Sequence, residues 1–177
     1  MSKLSKREPR LLSLDQSTRK TGWGCFEGSD LIAWGVIDKS DIINSDERIR
    51  EMTAEVCKLM EHYSPASIVL EDVQQQASPS TTIMLARLQG HIMHACDMRG
   101  VPFFTYKSTA WRKVLKFHQG AAKREELKAQ AMEYIKKCYG LALGEDVCEA
   151  LCIGLSHLKR KGVLPELPVH DYKESKR

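Results

Sequence analysis

The 177-residue chain contains no apolar run approaching the roughly 20 residues of a membrane-spanning helix, no CxxC pair, no internal repeat and no low-complexity linker. Met1 to Arg10 is basic but lacks the apolar core of a secretory signal. These absences argue against a helical membrane anchor and an exported chain, and the expected location is the cytoplasm. A disulfide framework is not expected in that compartment at this length. The six cysteines (25, 57, 96, 138, 148 and 152) are scattered among apolar neighbours. Cys148 and Cys152 stand four apart on an expected helix, a spacing that could hold a metal in principle. They read as small buried hydrophobes.

What is present fits one globular domain: 42% hydrophobic and 28% charged residues, enough for one sizeable core. Net charge is +4, unevenly spread. Residues 99 to 137 hold ten Lys or Arg against three Glu, whereas residues 41 to 63 hold six acidic and three basic residues. A basic segment of this kind points to a polyanionic partner or to a plain solvated helix face.

Turn residues separate three expected strands, Arg10 to Asp15, Gly22 to Glu27 and Leu31 to Asp38. Ser45 reads as a helix N-cap, and Ile49, Met52, Val56, Leu59, Met60 and Tyr63 recur at helical spacing. "SIVLEDV", Ser67 to Val73, reads as an interior parallel strand. A polar loop with a cap near Ser80 leads to a helix from Ile83 to Arg99, whose broad apolar face suits a central element or a dimer contact. "VPFFTY" is the fifth strand. Helical stretches Thr109 to Leu115, Lys123 to Tyr139 and Glu145 to Lys161 follow. The expected fold is α/β with a five-stranded mixed sheet, three antiparallel strands then two parallel, flanked by helices. Residues 1–162 are expected to form one domain and residues 163–177 a charged, partly ordered tail.

Four carboxylates demand an explanation. Asp15 and Glu71 sit on strands of otherwise apolar character, where an unpaired charge is costly. Asp146 and Glu149, three apart, share one face at the start of the last helix. The helix dipole accounts for Asp146 and Glu149 but not for the strand acids. If the four converge, two charges ~4 Å apart at an effective dielectric of about 20 repel by ~4 kcal/mol. Cations would then have to neutralise them. An all-oxygen, highly charged ligand set suits Mg²⁺ or Mn²⁺ rather than zinc. A pair of such ions can drive phosphodiester hydrolysis.

On these residues the chain resembles a known family. "LSLDQSTRKTGWG", "IVLEDV", "MLARLQGHI" and "GEDVCEALCIGLSH", in that order, are similar to the RuvC-type Holliday-junction resolvases of the RNase H-like superfamily. The resemblance spans Leu11 to His157. It implies a homodimeric endonuclease of DNA recombination and repair, in a bacterial or phage-infected cell. Such an enzyme nicks a four-way DNA junction symmetrically, leaving 5′-phosphate and 3′-hydroxyl ends. It also implies that Asp15, Glu71, Asp146 and Glu149 bind two Mg²⁺, with Mn²⁺ as a substitute, and that Lys123 contacts the scissile phosphate, with Lys113 as a second candidate. The expected DNA contacts are Lys107, Arg112, Lys113, Lys116, Lys123, Arg124 and Gln74. Two positions depart from the family: Glu149 replaces the usual Asp, and Gln74 stands where cellular members carry an aromatic residue. Gln74 makes the chain similar to phage-encoded members, and a helicase partner is not implied. Two other readings remain open: a ribonuclease of the same fold acting on RNA–DNA hybrids or pre-rRNA, and an actin-like ATPase or kinase. The latter would need a second phosphate hairpin that the chain lacks.

Overall fold

Alternation of apolar and small residues, broken by Ser-Thr and Gly-Ser turns, lays down three antiparallel strands at the start of the chain. In the computed structural model, which describes residues 8–163, these are β1 (Arg10–Asp15), β2 (Lys20–Glu27) and β3 (Asp30–Asp38). Helix α1 (Ser45–Tyr63) leads to β4 (Ser67–Glu71), α2 (Pro79–Arg99) and β5 (Phe103–Tyr106). Three helices close the fold: α3 (Ser108–Val114), α4 (Arg124–Tyr139) and α5 (Glu145–Arg160). The sheet order is β3-β2-β1-β4-β5, with β1 central, antiparallel to β2 and parallel to β4. The expected mixed sheet is therefore present. The expected tail lies, apart from Val163, outside the described residues.

Boundaries shift where capping chemistry decides. Asn44 rather than Ser45 caps α1, its side chain accepting the Glu47 amide at 2.9 Å. Helix α2 begins four residues before Ile83, because Ser78 takes the cap position and Pro79 the first helical one. The fourth strand ends at Glu71, two residues before Val73.

The sheet carries a core on each face. Leu12, Leu14, Ile68 and Leu70 pack under α1 and α2 with Met52, Val56, Leu88 and Ile92. Leu11, Phe26 and Val69 pack on the other face with Trp111, Ile135, Leu151 and Ile153 of α3, α4 and α5. Helix α5 is buried almost all round from Val147 to Leu158, as a helix clamped between sheet and α4 must be. Cys148 and Cys152 are buried free thiols in this layer, as expected. Among the described residues no helix is long and apolar enough to cross a membrane.

Candidate active site

Period-two alternation decides where the strand acids point. Leu12 and Leu14 belong to the α1–α2 layer, so Leu11, Ser13 and Asp15 face α5. On β4, Val69 faces α5, and Glu71 shares its side. The parallel register sets Leu14 opposite Leu70, which leaves Asp15 and Glu71 side by side at the carboxyl ends of adjacent strands. Ligand sites of open α/β sheets form at that edge.

Two glycines bring α5 down onto this edge. Gly22 pairs with Asp15 in the β1–β2 register. A Cβ there would lie 2.0 Å from the Asp146 carbonyl oxygen and 2.9 Å from the Val147 amide nitrogen. Only a residue without a side chain lets the first turn of α5 rest on the strand. Gly154, further along α5, has Phe26 and Ser13 as its counterparts, at 2.5 and 2.8 Å from a built Cβ. Asp146 and Glu149 are thereby presented to Asp15.

All four carboxylates line one open cleft of about 880 Å³. Helix α5 points its amino end at it, with Gly144 as a cap that offers no side-chain acceptor. Its free amides and dipole favour an anion there. Burial raises the Asp15 carboxyl well above its ordinary pKa, reinforced by Glu149, Glu71 and Asp146, with Lys128 acting in the opposite sense. Burial also raises Glu71, opposed by the Trp111 hydrogen bond and by Arg112.

The folded chain therefore holds the Asp15 proton more tightly than the unfolded chain does. A raised carboxyl pKa penalises the fold once the pH exceeds the ordinary Asp range, and the penalty is complete above the raised value. Asp15→Asn is accordingly expected to melt at a higher temperature than wild type at neutral pH in metal-free buffer. The gain should shrink as the pH is lowered into the ordinary Asp range. Thermal melts across pH check it.

Hydrogen bonds pin the two glutamates. The Trp111 indole Nε1 donates to Glu71 Oε2 at 2.8 Å. Gln16 and Gln89 each donate a side-chain amide to the Glu71 carbonyl oxygen at 3.3 Å. Arg112 Nη2 donates to Glu149 Oε1 at 3.1 Å, and its guanidinium lies 4.7 Å from the centre of the Trp111 ring. With Glu71 held to Trp111 and Glu149 to Arg112, no three acidic, cysteine or histidine side chains among the described residues form a ready ion cage. The donor chemistry still fits a hard divalent cation. Six carboxylates line the cleft, the four above with Asp72 and Glu145, together with the buried, unpartnered amide oxygen of Gln16, and neither His nor Cys lines it.

Of the basic and polar residues expected to meet DNA, Arg112, Arg124 and Gln74 line the cleft. Gln74 donates to Ser108 Oγ at 3.0 Å. Lys107, Lys113, Lys116 and Lys123 are exposed but outside its lining. Lys123 caps α4, and the next residue, Arg124, turns into the cleft with Lys128 one turn on. Sequence reading missed Arg19, Lys20, Arg48, Lys128 and Trp111. Arg19 and Lys20 carried a signal, because they stand four and five residues after the first acid in "DQSTRK". Trp111 carried none, since its partner Glu71 lies 40 residues away.

This sheet order, with acids ending β1 and β4 and opening α5, defines an RNase H-like α/β protein. Thermus thermophilus RuvC in complex with Holliday junction substrate shares the fold at TM-score 0.68 and 19% identity, covering 88% of this chain and 98% of that one. The yeast mitochondrial Holliday junction resolvase Ydc2 matches at TM-score 0.57 and 14% identity, over 90% and 82% of the two chains. Among curated relatives, the crossover junction endodeoxyribonuclease RuvC of Xanthobacter autotrophicus is 27% identical over 157 residues, covering 86% of this chain and 91% of the relative. That of Hydrogenovibrio crunogenus is 26% identical over 152 residues, covering 84% and 86%. The family model for crossover junction endodeoxyribonuclease RuvC matches residues 11–157. The chain belongs to that family.

Proposed function

We propose that the chain is a divalent-cation-dependent endonuclease that resolves four-way DNA junctions by paired symmetric nicks, acting as a homodimer. One observation carries this reading: Asp15, Glu71, Asp146 and Glu149, drawn from β1, β4 and α5, line a single cleft. These four would hold two Mg²⁺ or Mn²⁺ ions. When bound, such ions activate a water and stabilise the departing 3′ oxygen, leaving 5′-phosphate and 3′-hydroxyl ends.

The chain's own groups position the DNA. The amino end of α5, Arg124 and Lys128 offer the scissile-strand phosphate donors on one wall of the cleft, and Arg19 on another. Lys107, Lys113, Lys116 and Lys123, exposed on and beside α3 and α4, extend this basic surface for flanking phosphates. The loop around Gln74 reaches from the cleft toward the junction centre. Contacts to phosphates give affinity without sequence preference, so binding should weaken steeply with salt.

Paired nicks need two cleavage sites related by a twofold axis. Helix α2 exposes Ile83, Met93 and Met98 on the side away from the core, an apolar stripe suited to a self-complementary contact. The double variant Met93→Glu, Met98→Glu is expected to run at monomer mass by light scattering, where wild type runs at dimer mass, and to nick singly. Wild-type mass of one chain, free and on DNA, would contradict the dimer.

The decisive assay incubates a labelled four-way junction with and without Mg²⁺ and maps the nicks. Symmetric, Mg²⁺-dependent nicks on opposing strands are expected. Cleavage of an RNA–DNA hybrid in preference to the junction would overturn the reading in favour of a ribonuclease.

A further inference from the structure

Arg112 differs from the other cations of the cleft in where its charge goes. It is paired with Glu149, one of the four site carboxylates, and both side chains are nearly buried, 14% and 12% exposed. The pairing is incomplete. One nitrogen, Nη2, meets one carboxylate oxygen at 3.1 Å, while the buried Nε has no partner. A guanidinium fork in this state has a donor in reserve, of the geometry that takes a phosphate with two parallel bonds. Its plane is steadied by the Trp111 ring beneath it, and Trp111 is in turn fixed to Glu71.

The chemistry of Glu149 makes this pair consequential. Its carboxylate cannot give its full charge to Arg112 and to a divalent cation together. Nor can it stand unpaired beside Asp15, Glu71 and Asp146 in a half-buried cleft. We propose that Arg112 and the divalent cation compete for Glu149, and that a DNA phosphate resolves the competition by drawing Arg112 away. Metal binding at Glu149 and DNA binding are then positively coupled, and Arg112 acts as a positioning residue that withholds the complete ligand set until substrate arrives. The inference rests on the nuclease reading above and adds an order of assembly to it.

The test is Mn²⁺ affinity of the free protein, measured by the loss of the free-ion EPR signal and by calorimetry, with circular dichroism to check folding. Arg112→Gln is expected to bind Mn²⁺ about tenfold more tightly than wild type, within the usual range of coupling between sites. Arg112→Lys, which keeps the charge but not the fork, should fall between the two. Removing a positive charge also strengthens cation binding through the general field, so a second background separates the causes. In Glu149→Gln the competition has no object, and adding Arg112→Gln should raise Mn²⁺ affinity only by the smaller field effect, well short of the tenfold gain. The proposal is overturned if Arg112→Gln binds Mn²⁺ no better than wild type. It is equally overturned if the full gain persists in the Glu149→Gln background. If wild type binds neither Mn²⁺ nor a four-way junction, the nuclease reading itself fails and takes this inference with it.

Discussion

Asp146→Asn should bind a four-way junction as tightly as wild type, or slightly more tightly, and cut it about a thousandfold more slowly or worse. Asparagine keeps the size of the side chain and remains compatible with the first turn of α5. What changes is charge. The cleft loses one of the three carboxylates gathered beside Asp15, and with it a charged oxygen donor for a hard cation. Metal assistance supplies several kcal/mol of transition-state stabilisation, and each ~1.4 kcal/mol is a factor of ten in rate. On the proposed reading, binding depends on the basic walls and on the backbone amides at the α5 amino end, which the substitution leaves in place. It also removes a charge that repels phosphate. Single-turnover rates at saturating protein, set beside anisotropy titrations in metal-free buffer, separate the two quantities. An Asp146→Asn protein that cuts at the normal rate would remove Asp146 from the site.

Gly22→Ala tests how the site is held together rather than its chemistry. The added methyl carbon would sit 2.0 Å from the Asp146 carbonyl oxygen, a backbone atom with no rotamer to escape into. Strand β2 or the first turn of α5 must give way. Overpacking of this kind costs about 3 kcal/mol, and for a domain of this size it lowers the melting temperature by roughly 6–12 °C. The displaced turn carries Asp146 away from Asp15, so cleavage should fall as well, including below the melting transition. Thermal unfolding followed by circular dichroism gives the first effect and single-turnover cleavage the second. A variant that melts and cuts like wild type would mean that α5 does not rest on Gly22.

The strands and the acids were legible in the sequence for the same reason. Each first-half strand is closed by turn residues whose chemistry is local, and a carboxylate ending an apolar strand is conspicuous because desolvation makes it costly. Asp15 and Glu71 could be singled out that way, and Asp146 and Glu149 by their helical spacing. The start of α2 was less legible because the polar Ser-Pro-Ser-Thr-Thr run reads as loop until Pro79 is recognised as a first helical residue. The cations that line the cleft were the least legible. Lys123 and Arg124 are adjacent in a basic segment, and only the cap of α4 decides that Arg124 turns into the cleft while Lys123 does not. The hold of Trp111 on Glu71 and that of Arg112 on Glu149 join residues 40 and 37 positions apart, where no local pattern reports a contact.

The most direct measurement is anomalous scattering from a Mn²⁺-soaked crystal of the protein with a four-way junction. The account predicts manganese peaks in the cleft, ligated by Asp15 together with Glu71, Asp146 and Glu149, and a DNA phosphate within reach of them. A fully occupied crystal in which the phosphate lies in the cleft and manganese is absent from these four side chains would contradict it.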